Sequence, residues 1–435
     1  MAYNVVPYGP GMVGNESWVQ DQRPKDYREA LLYLKPNGTA PLFAMTSRIP
    51  SERTTDPEFN WWEKHLPTQG GAVTNLYNSE GMGTAWSSAQ VFSADQAVFA
   101  KVGEALAKET RPGHIVLLRT EATPAKDVRG RVTHVSINGA NSRISVVLME
   151  GDGSSGGILS TCDRLDIIGN MNAEGAPIPE AISYSPHKFY NYTQIFRTPL
   201  SITRTAMKTR LRTGDAVKEM RREALEIHGM EIEKSLLYGI RSESIDPANG
   251  QPIRTTLGLI PYIQSHSSAN YGDFAVDHAS AAWASTTSLD WLEKNLEKCF
   301  RYGSRERWAF AGSEALLGIQ RAVRSNATMN IESGITEFGT RVSTLVTAFG
   351  SVHFQIHPLF SFSQTNRRRM VIFEPSNFKE RFIDKTHLKK DDALKKGGAT
   401  AIDGIKDEYL TEMGLEFRFA PTTLLLDNVG SSAGA

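Results

Sequence analysis

The stretch Asn191–Gly239, NYTQIFRTPLSITRTAMKTRLRTGDAVKEMRREALEIHGMEIEKSLLYG, decides the fold. Thr198–Thr205 is rich in β-branched residues and predicts an extended segment. It passes directly into a heavily charged run that predicts one long helix over about residues 215–238. Thr213-Gly214-Asp215 supplies caps at its start, and Gly239 supplies a stop at its end. Val217, Met220, Ala224 and Ile227 line one side of this helix. The later apolar residues, Ile232, Leu236 and Leu237, fall on a different face. Glu219–Arg222 and Arg222–Glu226 have the spacing of surface pairs, each worth a few tenths of a kcal/mol. A helix without one clean apolar stripe takes its stability from contacts on several sides. The expectation is a rigid strut whose flanks meet other subunits.

Length and charge set the frame around that strut. At 435 residues the chain exceeds what one core usually organises, so two or three lobes are expected. Lys+Arg and Asp+Glu both count 48, which argues against a protein that binds DNA through its own excess charge. Zero net charge also leaves no net repulsion between copies. The two cysteines, Cys162 and Cys299, predict buried thiols in a reducing compartment rather than a disulfide framework. The opening residues MAYNVVPYGPGM have neither a basic start nor an apolar run, so no signal peptide is expected. No stretch approaches the ~20 apolar residues that span a bilayer, so no membrane partner is expected, and synthesis in a cytoplasm is.

Upstream, eight of the 20 prolines fall between Pro7 and Pro67. Proline removes a donor and restricts its neighbour, so this region predicts an extended arm with one short helix, about Lys25–Leu34. It also carries Trp18, Trp61 and Trp62, large aromatics on an arm with no core of its own. Such residues bury against something else, which makes them candidates for contact with another subunit. Ile115–Arg119, Arg131–Ile137 and Arg143–Met149 predict strands of a small antiparallel β unit within about residues 102–169. Downstream, Ser288–Tyr302 predicts an amphipathic helix with Leu289, Leu292, Leu296 and Phe300 inward. Trp308–Ala311 predicts a strand, and Ser313 caps a second helix. Val352, Phe354 and Ile356 alternate, and Met370–Phe373 predicts a core strand. Together these give a compact α/β lobe. Lys385–Thr400 reads as a charged loop, and Gly414–Leu426 as closing strands.

No assembled active site emerges. Gly153-Ser154-Ser155-Gly156-Gly157 matches the letters of a nucleophile elbow, but it sits in a glycine-rich loop without the strand-to-helix turn that motif needs. His353 and His357 are expected on one polar face of a strand, with no further ligand at metal spacing. Arg367-Arg368-Arg369, Lys389-Lys390 and Lys395-Lys396 read as solvated turns, the functional alternative being non-specific contact with a phosphate backbone. The expectation is no catalytic residue, no metal and no cofactor.

The order is proline-rich aromatic arm, β segment, long charged helix, α/β lobe, returning strands. It resembles the major capsid, or major head, proteins of tailed bacteriophages (Caudoviricetes), with their Hong Kong 97 fold. The phrases that carry the resemblance are Thr39-Ala40-Pro41-Leu42, Phe59-Asn60-Trp61-Trp62, Asn191-Tyr192-Thr193-Gln194-Ile195-Phe196, Glu231-Ile232-Glu233, Leu236-Leu237-Tyr238-Gly239 and Thr255-Thr256-Leu257-Gly258-Leu259-Ile260.

The resemblance implies an α+β capsid fold in five parts. They are an N-terminal arm (1–67), an extended-loop region (68–190) with its β insertion, a peripheral-domain strand and spine helix (191–255), an axial domain (256–375), and returning strands with a tail (376–435). It implies a homo-oligomeric, self-assembling icosahedral shell of pentamers and hexamers. A portal and a separate scaffolding protein would be its partners, and packaged double-stranded DNA would be held by non-specific contact. The product would stand in the virion after assembly in the host cytoplasm. Candidate assembly residues are Trp18, Trp61, Trp62, Tyr192, Phe196, Glu219, Arg222 and Glu226. Two other readings stay open: a nanocompartment (encapsulin-like) shell that encloses protein, and a soluble serine hydrolase built on Ser155.

Overall fold

The computed structural model describes residues 42–43, 49–83, 85, 91–121, 127–151, 158–175, 177–179, 181–209, 215–279, 283, 285–325, 331–337, 340–390 and 404–430. Among them the strands are β1 (Ser51–Arg53), β2 (Glu58–Glu63), β3 (Gly70–Tyr77), β4 (Ala97–Val102), β5 (His114–Arg119), β6 (Val128–Ser136) and β7 (Arg143–Leu148). They continue with β8 (Arg164–Asn170), β9 (His187–Tyr192), β10 (Gln194–Thr203), β11 (Ser242–Ile245), β12 (Pro252–Thr255), β13 (Tyr271–Asp273) and β14 (Glu306–Ala311). The last are β15 (Ile331–Glu337), β16 (Thr340–Val346), β17 (Ser351–Ile356), β18 (Met370–Phe373), β19 (Phe378–Lys390), β20 (Gly404–Phe417) and β21 (Leu424–Asp427). The chain divides into two compact units, Met1–Trp61 with Phe189–Ala435, and Trp62–Lys188. It passes from one to the other on β2 and back on β9, which pair as a two-stranded ribbon.

The Trp62–Lys188 unit is a closed barrel in the order β3-β4-β7-β6-β5-β8, with every neighbouring pair antiparallel. Alternate residues fill it: Val98, Ala100 and Val102 from β4, and Ile144, Val146 and Leu148 from β7, with Val116, Leu118, Val128, Val132 and Leu165. Closure leaves no free sheet edge, which is how a small β unit stays monomeric in itself. The barrel reaches further upstream than the β-rich stretch legible in sequence, because β3 and β4 precede it. In β3, with Gly70 and Gly71 at its start, only Val73 and Leu76 are buried. Its strand character comes from pairing with β4 and β8, and local pattern carries little of that.

The other unit is built around a seven-stranded mixed sheet, β13-β21-β18-β14-β17-β16-β15. Its central strands are covered on both faces. Ala309 and Ala311, Met370 and Ile372, and Leu424 and Leu426 join a core with Leu289, Leu292 and Leu296 of helix Ser285–Phe300 and Ile319 of helix Ser313–Ser325. Phe310, Val371, Phe373 and Leu425 point the other way, into a core with Ile260 and Ile263 of helix Leu259–His266. Double burial explains why Met370–Phe373 is apolar at every position.

That second core also holds Ile232, Leu236 and Leu237 of the long helix, and Phe378, Met413, Leu415 and Phe417 of a four-stranded sheet ordered β1-β19-β20-β10. The α/β lobe and the long helix therefore share one core. Leu42 and Ile49, from the proline-rich region, belong to it as well.

Two expectations are corrected here. Lys385–Lys390 is not loop but the far half of β19, paired with β20 from His387↔Leu410 to Lys390↔Asp407. Its charged, mostly exposed side chains give no apolar alternation to read. The long antiparallel ladder holds it in place, with register shifts between Phe382 and His387. Trp61 is not waiting for an external partner. It is buried at 7% exposure and stacked between Phe59 and Phe189, at ring-centroid distances of 6.2 and 6.0 Å. No helix of the described residues is long and apolar enough to cross a membrane. The short helix expected near Lys25–Leu34 and the glycine-rich Ser155 loop lie outside the described residues.

Candidate assembly surface

The long helix runs Ala216–Tyr238, with the Asp215 side chain accepting from Val217 N at 2.9 Å as its N-cap. It ends at Gly239, whose φ of −58° is ordinary. Glycine is needed there for close approach, not for a left-handed turn. A Cβ at this position would stand 2.4 Å from Ser235 O and 2.5 Å from Thr256 O. Its buried side chains are Ala224, His228, Ile232, Glu233, Leu236 and Leu237. Ala224, His228, Ile232 and Leu236 recur every four residues, so the inward stripe exists but contains a histidine, and Glu233 lies beside it. Two polar groups in the stripe explain why no clean apolar face is legible in sequence.

Each polar group is matched. His228 Nδ1 lies 2.9 Å from Thr198 Oγ1 of β10, and Nε2 lies 2.7 Å from Thr411 Oγ1 of β20. Thr198 also donates to Glu231 at 3.0 Å. Burial pushes the His228 pKa below its usual value, with Glu231 opposing. Arg221 donates to Asp407 Oδ2 at 2.7 Å, and Asp407 is buried. The helix is thus pinned to β10 and β20 by polar contacts as well as by Phe196, which is buried in the shared core.

The opposite face of that sheet is open along β10. Along β10, Phe196, Thr198, Leu200 and Ile202 are buried while Ile195, Arg197, Pro199, Ser201 and Thr203 are exposed, a strict alternation. Ile195 is 57% exposed. Arg197 forks onto Glu408 Oε2 at 2.9 and 2.6 Å, and Lys389 reaches the same carboxylate at 3.2 Å. These arginine and lysine contacts hold the Glu408 carboxyl below its ordinary pKa. On the helix itself Leu225 and Ile227 are each 45% exposed. Ile227 therefore does not belong to the buried face expected from its spacing with Ala224.

The candidate residues separate into groups. Phe196 and Trp61 are core residues of their own subunit. Trp62 is 64% exposed. Tyr192 is half-buried, its hydroxyl 3.4 Å from Glu243 Oε2. Arg222 is exposed and pairs with Glu226 at 3.4 Å, with Glu219 half-buried one turn before it. Trp18 lies outside the described residues. Sequence reading missed Glu233, His228 and the open face of β10. The available signal was a polar residue interrupting an i, i+4 apolar series, and a β10 alternation in which four of the five outward positions are uncharged.

Other motifs resolve as structural. His357 is not on a strand face: it follows β17, is fully buried, and places Nε2 2.6 Å from Glu233 Oε1. His353 lies on β17 with Nδ1 2.9 Å from Thr344 Oγ1. The basic triplet is spent within the chain. Arg368 and Arg367 face Glu314 at 2.7 and 3.6 Å, and Arg369 forks onto Asp427 at 2.6 and 3.0 Å. Burial pushes the Cys162 thiol up to about 12 and the Cys299 thiol up to about 11. Among the described residues no cluster of three or more His, Cys, Asp or Glu is placed to hold a metal.

The subunit is an α+β fold whose exposed β10 face offers a surface for a neighbouring copy. The chain belongs to the SU10 major capsid protein family, which it matches over residues 11–429. It is a phage major capsid protein, a component of the virion that forms homo-oligomeric capsomers, as the tailed-phage resemblance implied. Among known proteins it is 25% identical over 386 residues to the major capsid protein of Pseudomonas phage PaMx41, covering 87% of this chain and 83% of that one. Among solved structures, that of Mycobacterium phage Bobi aligns with a TM-score of 0.44 and 7% identity, over 93% of this chain and 95% of that one. An encapsulin complex from Synechococcus elongatus aligns with a TM-score of 0.38 and 12% identity, over 58% and 78%.

Proposed function

We propose that this capsid protein builds an icosahedral head of pentamers and hexamers around the double-stranded DNA of a tailed phage, in the Hong Kong 97 arrangement. The helix Ala216–Tyr238 is the spine of a peripheral domain completed by the returning strands β19 and β20. Residues 256–375 supply most of the axial domain, and the barrel enlarges the extended loop. The observation that carries this reading is the sheet β1-β19-β20-β10, which has the helix on one face and, on the other, exposed side chains along β10 and the far half of β19. The exposed face presents Ile195, Arg197, Pro199 and Lys389. A closed assembly reuses one such face at every copy.

Trp62 and the outer helix positions Glu219, Arg222, Glu226 and Leu225 are the further contact candidates. Tyr192 stays a candidate at the margin, while Phe196 and Trp61 support the subunit from inside. The role is structural, not enzymatic, and needs no cofactor. A portal and a separate scaffolding protein act as partners during assembly in the host cytoplasm. DNA contact is non-specific and does not run through Arg367–Arg369, whose charges are matched within the chain. Expression with and without the phage's scaffolding protein, followed by electron microscopy, tests the reading. Closed shells are the expected product. A monodisperse monomer under all assembly conditions would overturn it.

A further inference from the structure

The proline-rich segment enters the described structure at Leu42 and Phe43, and both backbone amides end on one side chain. Leu42 N donates to Glu233 Oε1 at 2.9 Å and Phe43 N donates to Oε2 at 2.7 Å. His357 Nε2 reaches Oε1 at 2.6 Å, and since a carboxylate only accepts, Nε2 is the donor. Glu233, His357 and Leu42 are all fully buried. A buried carboxylate is tolerable only with its lone pairs matched, so Glu233 depends on the incoming segment for two of its three donors.

From Ile49 onward the described chain again lies against its own subunit. Ile49 is in the shared core. Pro50 O accepts from Glu380 N at 3.1 Å, β1 runs parallel to β19 with Ser51↔Glu380 in register, and Thr54 N donates to Phe382 O at 2.9 Å. Glu52 is gripped by Lys379 and by Arg381, the latter at 2.8 Å. Those two cations hold the Glu52 carboxyl below its ordinary pKa.

We propose that Glu233 is the positioning residue that fastens the chain entering at Leu42 and Phe43 to the long helix. On this reading Leu42–Phe43 and Ile49–Thr54 act as internal fastenings of the subunit and not as parts of an exchangeable arm. Nothing in the shell reading requires this. The expected behaviour of the whole proline-rich region was burial against a neighbour, and here its last stretch is buried against its own chain.

The test uses the full-length, unassembled protein, so success or failure of shell formation does not enter. Limited trypsin digestion reads the rate of cleavage after Arg53, on β1. Cleavage after Arg131, in the barrel, serves as the internal reference. Glu233→Gln replaces one acceptor oxygen by a donor that opposes the incoming N–H groups. Phe43→Pro removes the N–H that Glu233 Oε2 accepts, without altering the helix. Each variant should raise cleavage after Arg53 by about tenfold or more, as expected for local opening of a segment that has lost a buried anchor, with the Arg131 rate unchanged. If Glu233→Gln fails to fold, Phe43→Pro decides alone. Arg53 rates within twofold of wild type, or equal acceleration at Arg53 and Arg131, would overturn the proposal.

Discussion

Arg307→Met tests whether a buried ionic anchor holds the turn between helix Ser285–Phe300 and β14. Arg307 is fully buried on β14. Its Nη1 donates to Glu374 Oε2 at 2.7 Å, to Ser304 Oγ at 3.0 Å and to Glu306 O at 3.1 Å. Its Nη2 donates to Tyr302 O and, at 3.4 Å, to Cys299 O. Gly303 has a φ of +80° in this turn, and a Cβ there would stand 2.4 Å from Glu374 Oε2. Methionine has similar length but no donors. It leaves the Glu374 carboxylate in a largely buried site, with Ser304 N and Asn377 Nδ2 at 3.3 Å and Ser376 Oγ at 2.7 Å as its remaining donors. Breaking a buried pair from one side costs about 3–5 kcal/mol. The surviving donors put this case at the lower end, about 3 kcal/mol. Urea unfolding of the unassembled subunit, followed by near-ultraviolet circular dichroism, measures it. Removing the charge on both sides, as Arg307→Met with Glu374→Gln, should recover more than half of the loss. A single-variant loss under about 1 kcal/mol, or a double variant no better than the single, would refute the idea that the unmatched charge is the cost.

Four further outcomes are expected. Because the folded pKa of His228 lies below its unfolded value of about 6.5, the unfolded state binds more protons as pH falls through 6.5 toward the folded pKa, so His228 contributes a loss of stability on acidification across that window. Melting temperatures from pH 8 to 5 should show that slope flatten in His228→Gln, and an unchanged slope would contradict it. Ile195→Lys with Arg197→Glu should abolish shells while moving subunit melting little, since the exposed Arg197–Glu408 contact is worth about 0.2–1 kcal/mol. Reversing Arg222 should likewise cost more in shell yield, by electron microscopy, than in melting. Cys162 and Cys299, both buried, should not react with a thiol reagent until the protein is unfolded.

The sequence alone determined the long helix, the strand before it, the two amphipathic helices of the α/β lobe and the core strand Met370–Phe373. Each of these carries its signal in consecutive side chains, as periodicity, caps or an unbroken apolar run. It also supported the capsid reading, through the order of short phrases along the chain. It could not show that Trp61 is buried while Trp62 is exposed, because neighbours on a strand point to opposite faces and either could be the inner one. The charged half of β19 was illegible for a related reason: its pairing with β20 comes from backbone hydrogen bonds, which leave no trace in side-chain type. Tertiary structure alone decided that Leu42 and His357 converge on Glu233. Those residues are separated by 191 and 124 positions, and the match that makes a buried carboxylate tolerable exists only once Leu42, the helix and the end of β17 are packed together.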